Sequence, residues 1–143
     1  MPFKYLPDIA IADAAFEAWG DTLDSVFISC ADALAGVMVD DISLIEGKEA
    51  VELRLFNAEL EMVLFDFLNE LVYIKDAKRL LLRVEKVEIA EQGGGFELTG
   101  KATGEQIDPS KHRLLADVKA VTLSRFSLVR EDEGWRATVI VDI

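Results

Sequence analysis

Residues 82–102 read LRVEKVEIAEQGGGFELTGKA, and this stretch decides the fold class. Leu82 and Val84 share one parity, whereas Val87 and Ile89 share the other. A one-residue slip turns every later side chain to the opposite face of a strand, so the break predicts a bulge near Glu85 and Lys86. Gly93, Gly94 and Gly95 then interrupt the chain, and Phe96, Leu98, Gly100 and Ala102 resume the alternation. Three glycines can suggest a phosphate-binding loop, but such a loop needs a following helix and a Lys, and here it joins two strands. A hairpin turn is the reading.

Outward from this hairpin, Val51, Leu53 and Leu55 mark another strand, and a short one runs from Ala14 to Trp19. Two helices show a different period. After Thr22 the apolar positions Leu23, Val26, Phe27, Cys30, Leu34, Val37 and Met38 recur at threes and fours, which keeps one stripe toward a core. Thr22 can accept bonds from the first free N–H groups, and Asp24 suits the positive helix end. The second helix is expected from near Asn57 to about Asp76. Its stripe comprises Leu60, Val63, Leu64, Phe67, Leu68, Leu71 and Val72, broad enough to lie across a sheet. Gly104 to Arg113 is expected as a loop, followed by strands from about Asp117 to Val129 and from Trp135 to Ile143. The order β-α-β-α-β-β-β-β implies an α+β fold, one domain over residues 1–143, with a largely antiparallel sheet packed against two helices.

The bulk composition narrows the function. The 143 residues are 51% hydrophobic, so disorder is not expected and a real core is. Fifteen basic against 27 acidic residues leave a net charge of −12, too little cation to grip a phosphate backbone. Direct nucleic-acid binding is therefore not expected, and an acidic face would attract basic proteins and cations. No apolar run reaches the ~20 residues of a membrane span, and Lys4, Pro7 and Asp8 do not suit a signal peptide. A single Cys30 suits a reducing cytoplasm.

Several acidic residues invite a site. The alternating run Trp135, Ala137, Val139, Val141, Ile143 leads straight to Asp142 and the α-carboxylate, a cluster of hard oxygens that needs a cation, a basic partner or water. Asp40 and Asp41 follow the last turn of the first helix, where the dipole disfavours them, so they call for a cation or a basic neighbour, unless they are a solvated cap. Asp13 opens the first strand, where Asp is uncommon. Oxygen ligands of this kind suit Ca²⁺, with Mg²⁺ or Mn²⁺ as further choices, and not zinc. Lys119, read as mid-strand, could neutralise them or touch a partner. Catalytic machinery is sparse: His112 is the only histidine and is expected on the surface, Cys30 lies on the core stripe, and no base serves Thr122 or Ser124. A hydrolase built on the aspartates would lack a proton carrier.

Taken in order, the pieces resemble archease, a family of small cytosolic proteins. The resemblance rests on Ala12-Asp13, Ala18-Trp19-Gly20, Thr22-Leu23, Val37-Met38-Val39-Asp40, Phe67-Leu68-Asn69-Glu70-Leu71, Gly104-Glu105, Asp108-Pro109, His112, residues 117–122 and the closing Val139 to Ile143. Many members have His-Thr-Ala-Asp where this chain has Ala10 to Asp13, and Tyr-His where it has Leu123-Ser124. The resemblance implies a non-enzymatic cytoplasmic activator of an RtcB-type RNA-splicing ligase, promoting its GTP-dependent guanylylation and multiple turnover. It further implies a divalent-cation site of Asp13, Asp40, Asp142 and the Ile143 carboxylate, with Lys119 assisting at that surface. A general chaperone or interaction module with an acidic face is the competing expectation.

Overall fold

Thr22 starts the first helix in the way its hydroxyl allows. In the computed structural model, which describes residues 2–7 and 13–143, Thr22 Oγ1 accepts from the Ser25 N–H at 3.2 Å and Ser25 Oγ accepts from the Thr22 N–H at 3.0 Å. This reciprocal box opens α1 (Leu23–Met38). The second helix, α2 (Leu60–Lys78), begins later than the expected Asn57. Asn57 instead ends a strand, and its side-chain oxygen accepts from the Glu59 N–H, which turns the chain before the helix can start.

Among the described residues seven strands surround these helices: β1 (Phe3–Tyr5), β2 (Asp13–Gly20), β3 (Glu49–Asn57), β4 (Leu80–Gln92), β5 (Gly95–Gln106), β6 (Ala120–Glu131) and β7 (Gly134–Asp142), and their pairings are antiparallel. They form two sheets, ordered β1-β2-β7-β6 and β3-β5-β4. The helices lie between them, each packing on strands of both sheets, and Phe27 of α1 meets Phe67 of α2 at 5.6 Å. This middle position explains why α1 is buried almost all round, with Ala31, Ala33 and Ala35 covered as well as its apolar stripe. The α+β class holds, with the antiparallel structure divided between two sheets.

The hairpin reading also holds. The β4–β5 register shifts between Val84 and Lys86, and Gly93 and Gly94 turn the chain at φ of 59° and 83°. Three details differ. Strand β1, only three residues long, is too short to signal itself by periodicity. Gly104 to Gln106 continue β5, where a loop was expected; at Gly104 an added Cβ would lie 1.8 Å from the Leu81 carbonyl oxygen, so only glycine permits that pairing. Strand β6 begins at Ala120 and carries a wide irregularity between Thr122 and Ser127.

His112 is the clearest correction. It was expected at the surface because Lys111 and Arg113 flank it, yet it is 2% exposed. Its Nδ1 accepts from the Asp108 N–H at 2.9 Å, so the proton sits on Nε2, which donates to Glu105 Oε2 at 3.0 Å. Glu105, itself buried near the end of β5, also accepts from the Glu46 N–H at 2.8 Å and from Lys111 Nζ at 2.7 Å. Lys111 bonds Glu46 as well. The cluster fixes the 107–113 loop against β5 and the segment before β3. The Glu46 N–H first, and then Lys111, hold the Glu105 carboxyl far below the usual carboxylate range.

A carboxyl lowered on folding adds stability that is complete above its unfolded pKa and disappears as pH falls toward its folded value. Glu105→Gln should therefore be less stable at neutral pH, and its stability should fall less steeply between about pH 5 and pH 3. Urea unfolding at a series of pH values measures both. Parallel slopes for the two proteins would remove Glu105 as the source.

Candidate functional site

The register of β2 and β7 sets Asp13 directly opposite Asp142. Residues so paired share a face, with Cβ atoms about 5 Å apart, and like charges there repel. Farther along the same face the charges are matched: Glu17 lies 3.4 Å from Lys4 Nζ and 3.6 Å from Arg136 Nη1, and Arg136 also pairs with Glu131. The guanidinium of Arg136 stacks over Trp19, with its carbon 5.5 Å from the ring centre. Among the described residues no basic side chain pairs with Asp13 or Asp142. Asp142 is exposed, Asp13 is half-buried, and Ile143 packs its side chain against the core.

Lys119 lies beside this pair. Its N–H donates to the Asp142 carbonyl at 2.9 Å, and its side chain is exposed. It was expected in mid-strand, but it stands one residue ahead of β6. Two side chains from α2 hold its neighbours. Lys75 Nζ donates to the Val118 carbonyl and to Asp117 Oδ1, both at 2.7 Å, and Lys75 keeps the Asp117 carboxyl below its usual range. Asn69 Oδ1 accepts from the Val121 N–H at 3.0 Å while its Nδ2 reaches the Val121 carbonyl at 3.5 Å. Lys75 is 6% exposed and was not singled out by sequence reasoning. Its position after Ile74, on the margin of a broad apolar stripe, was the one available signal.

Asp40 takes a different environment. Its N–H donates to the Arg113 carbonyl at 2.9 Å, and its exposed carboxylate is 4.0 Å from Arg113 Nη1. The chain through Leu114, Leu115 and Ala116 then bonds along the end of α1, the Leu115 N–H to Met38 and the Ala116 N–H to Val37. Asp41 is a cap: its Oδ1 accepts from the Ser43 N–H at 3.0 Å and the Ser43 hydroxyl at 2.6 Å, which lowers its pKa. Asp13 lines the same surface cavity as Gly36, Val37 and Leu115, so the end of α1 is near, but Asp40 does not line it. Among the described residues no three His, Cys, Asp or Glu side chains are grouped closely enough to hold a metal ion. The structure thus brings Asp13 and Asp142 together, with Lys119 adjacent, and does not bring in Asp40. Ala10, Ile11 and Ala12 lie outside the described residues.

In chemical kind the donors suit a hard cation: the paired side chains offer oxygen only and lack a countercharge. Tyr5 closes the other side of this region, its hydroxyl donating to the Ala33 carbonyl at 3.0 Å. His112, with both ring nitrogens engaged, is not part of the site. No helix is long and apolar enough to cross a membrane among the described residues.

The family model for the archease protein family matches residues 3–143. An archease from Pyrococcus furiosus is 37% identical over 133 residues, covering 92% of this chain and 93% of its own. One from Methanothermobacter thermautotrophicus is 38% identical over 132 residues, with 92% and 93% covered. Among solved structures, Methanobacterium thermoautotrophicum protein 1598 matches with a TM-score of 0.86 at 35% identity, covering 99% of both chains. A Thermotoga maritima protein, called an archease and possible chaperone, shares the fold at a TM-score of 0.57 and 18% identity, with 96% of each chain covered. With a family match over nearly its whole length and relatives well above 30% identity, the chain belongs to the archease family.

Proposed function

We propose that this protein is a non-enzymatic activator of an RtcB-type RNA ligase, raising its GTP-dependent guanylylation and its turnover in tRNA splicing or RNA repair. The supporting observation is the Asp13–Asp142 pair in a chain of the archease family: two opposed carboxylates without a countercharge, at the end of a sheet. Asp13 and Asp142 would hold a divalent ion, Ca²⁺ before Mg²⁺ or Mn²⁺, with the Ile143 carboxylate as a further oxygen ligand, and Asp40 would have to leave Arg113 to join them. Such an ion would supply a positive charge for phosphate or carboxylate oxygens at the ligase surface. Lys119 would add a second, permanent charge beside it. Contact with nucleic acid is left to the ligase, because a net charge of −12 repels a phosphate backbone. An activator of this kind works by binding the competent form of its partner better than the incompetent one.

The direct test uses purified RtcB-type ligase, RNA ends, GTP and divalent metal, with this protein present in less than stoichiometric amount or absent. Faster guanylylation and more than one ligation per ligase molecule are expected. Unchanged rate and turnover would remove the proposal. The competing reading, a general chaperone like the one suggested for the Thermotoga relative, would instead show as suppressed aggregation of unrelated proteins with the ligase unaffected.

The ion is tested separately. A ligand that binds only the native state at a hundredfold its Kd adds about 2.7 kcal/mol. At about 3 °C per kcal/mol for a chain of this size, Ca²⁺ should raise the melting temperature by about 8 °C. Asp142→Asn relieves the repulsion with Asp13, so the ion-free variant should melt no lower than the parent and should respond weakly to Ca²⁺. A residue added after Ile143 should blunt the response as well. A full response in both variants would exclude Asp142 and the Ile143 carboxylate as ligands.

A further inference from the structure

Two sheets present four edges among the described residues, and three are blunted. Strand β1 is three residues long. Strand β6 is broken between Thr122 and Ser127, and Asn69 occupies both main-chain groups of Val121. Strand β4 carries the bulge at Val84 and Lys86. Natural sheets use such devices because an open row of N–H and C=O groups pairs with other chains.

Strand β3 carries none of them. Its nine residues keep an unbroken register with β5 from Glu49 opposite Gly104 to Asn57 opposite Phe96. It contains no Pro, no Lys and no bulge. Apart from the bonds to β5, no hydrogen bond reaches its main chain among the described residues. Its side chains alternate sharply: Glu52, Arg54 and Phe56 are exposed on one face, while Leu53 is buried on the other.

We infer that the β3 edge is a self-association surface, taken by β3 of a second copy of this chain to give a continuous six-stranded sheet. The charge pattern selects the partner and the register. With a two-fold axis through Leu53, antiparallel pairing sets Glu52 opposite Arg54 of the second copy, and Arg54 opposite its Glu52. Val51 then meets Leu55, and the exposed Phe56 covers Ala50. A slip that centres the axis on Glu52 or Arg54 puts like charge on like. Centring on Val51 sets Arg54 against Lys48, and centring on Leu55 removes both ion pairs. Arg54 is accessible: its side chain is 74% exposed, and among the described residues its ion-pair partner is Glu97 at 3.3 Å. Glu52 has no ion-pair partner among the described residues. A single strand edge is a small interface, and each copy carries −12, so the association is weak and depends on salt to screen the repulsion. This surface is separate from Asp13 and Asp142 and does not rest on the ligase reading.

Sedimentation equilibrium of the full chain at about 0.15 M salt should show a monomer–dimer equilibrium over a concentration series. Arg54→Glu should weaken it by about tenfold or more. The double exchange Glu52→Arg with Arg54→Glu preserves complementarity across the axis and should restore it. Hydrogen exchange should slow with concentration at alternate amides of residues 49–57. A chain that remains monomeric at every concentration overturns the inference. So does a dimer indifferent to Arg54→Glu, a double exchange no better than the single one, or protection that appears elsewhere.

Discussion

Everything in this molecule depends on seating β7 between β2 and β6. The strand is formed by the last residues described, and it pairs along its length with a strand that starts at residue 13. Closing so long a loop costs only slowly more than closing a short one, since the entropy rises with the logarithm of length. The return is large. Ala137, Val139 and Val141 become fully buried against α1 and the inner residues Phe16 and Ala18. Without β7, β2 and β6 would both become bare edges. The opposed carboxylates of Asp13 and Asp142 exist only because this strand is in register.

The polar groups buried around that core act as ties between elements that apolar packing alone would leave free to slide. Arg83 of β4 donates to Asp32 of α1 at 2.9 Å and to the Ile42 carbonyl at 3.2 Å. Lys75 and Asn69 fasten α2 to the start of β6. Glu105 gathers Glu46, Lys111 and His112. Each buried charge has a partner, which it must, because an unpaired one would cost several kcal/mol. These ties fix loops in place: the 107–113 loop determines where Arg113 meets Asp40, and Lys75 determines where Lys119 leaves the chain.

What could be read from the sequence was whatever produced a period. The Thr22 cap, the parity break at Glu85 and Lys86, the glycine turn and the Cys30 stripe all left local patterns, and the structure has them. Strand β1 left none, because three residues cannot establish alternation. His112 was misread because its basic neighbours suggest a surface, while its burial is set by Glu105, whose carboxylate can only be placed once β5 and the loop have folded. Lys75 is similar: a Lys near the end of a helix normally reaches water, and here Asp117 and a carbonyl 43 residues away receive it. The meeting of Asp13 with Asp142 was expected only from the family resemblance, since no period links two strand ends so far apart in the chain, and the setting of Asp40 depends on Arg113, a contact with no sequence period at all.

The engagement of His112 limits what that residue can do. A general base needs a nitrogen lone pair aimed at substrate. In His112 the lone pair of Nδ1 is committed to the Asp108 N–H and the Nε2 proton to Glu105, inside the protein. Cys30 is equally committed to the core, where burial raises its thiol well above the ordinary range and keeps it protonated. The candidate groups at the surface are the paired carboxylates of Asp13 and Asp142 and the exposed Lys119, which can bind ions and neighbours. Such an arrangement suits presentation of charge to a partner, and the proposed action on a ligase asks no more of it.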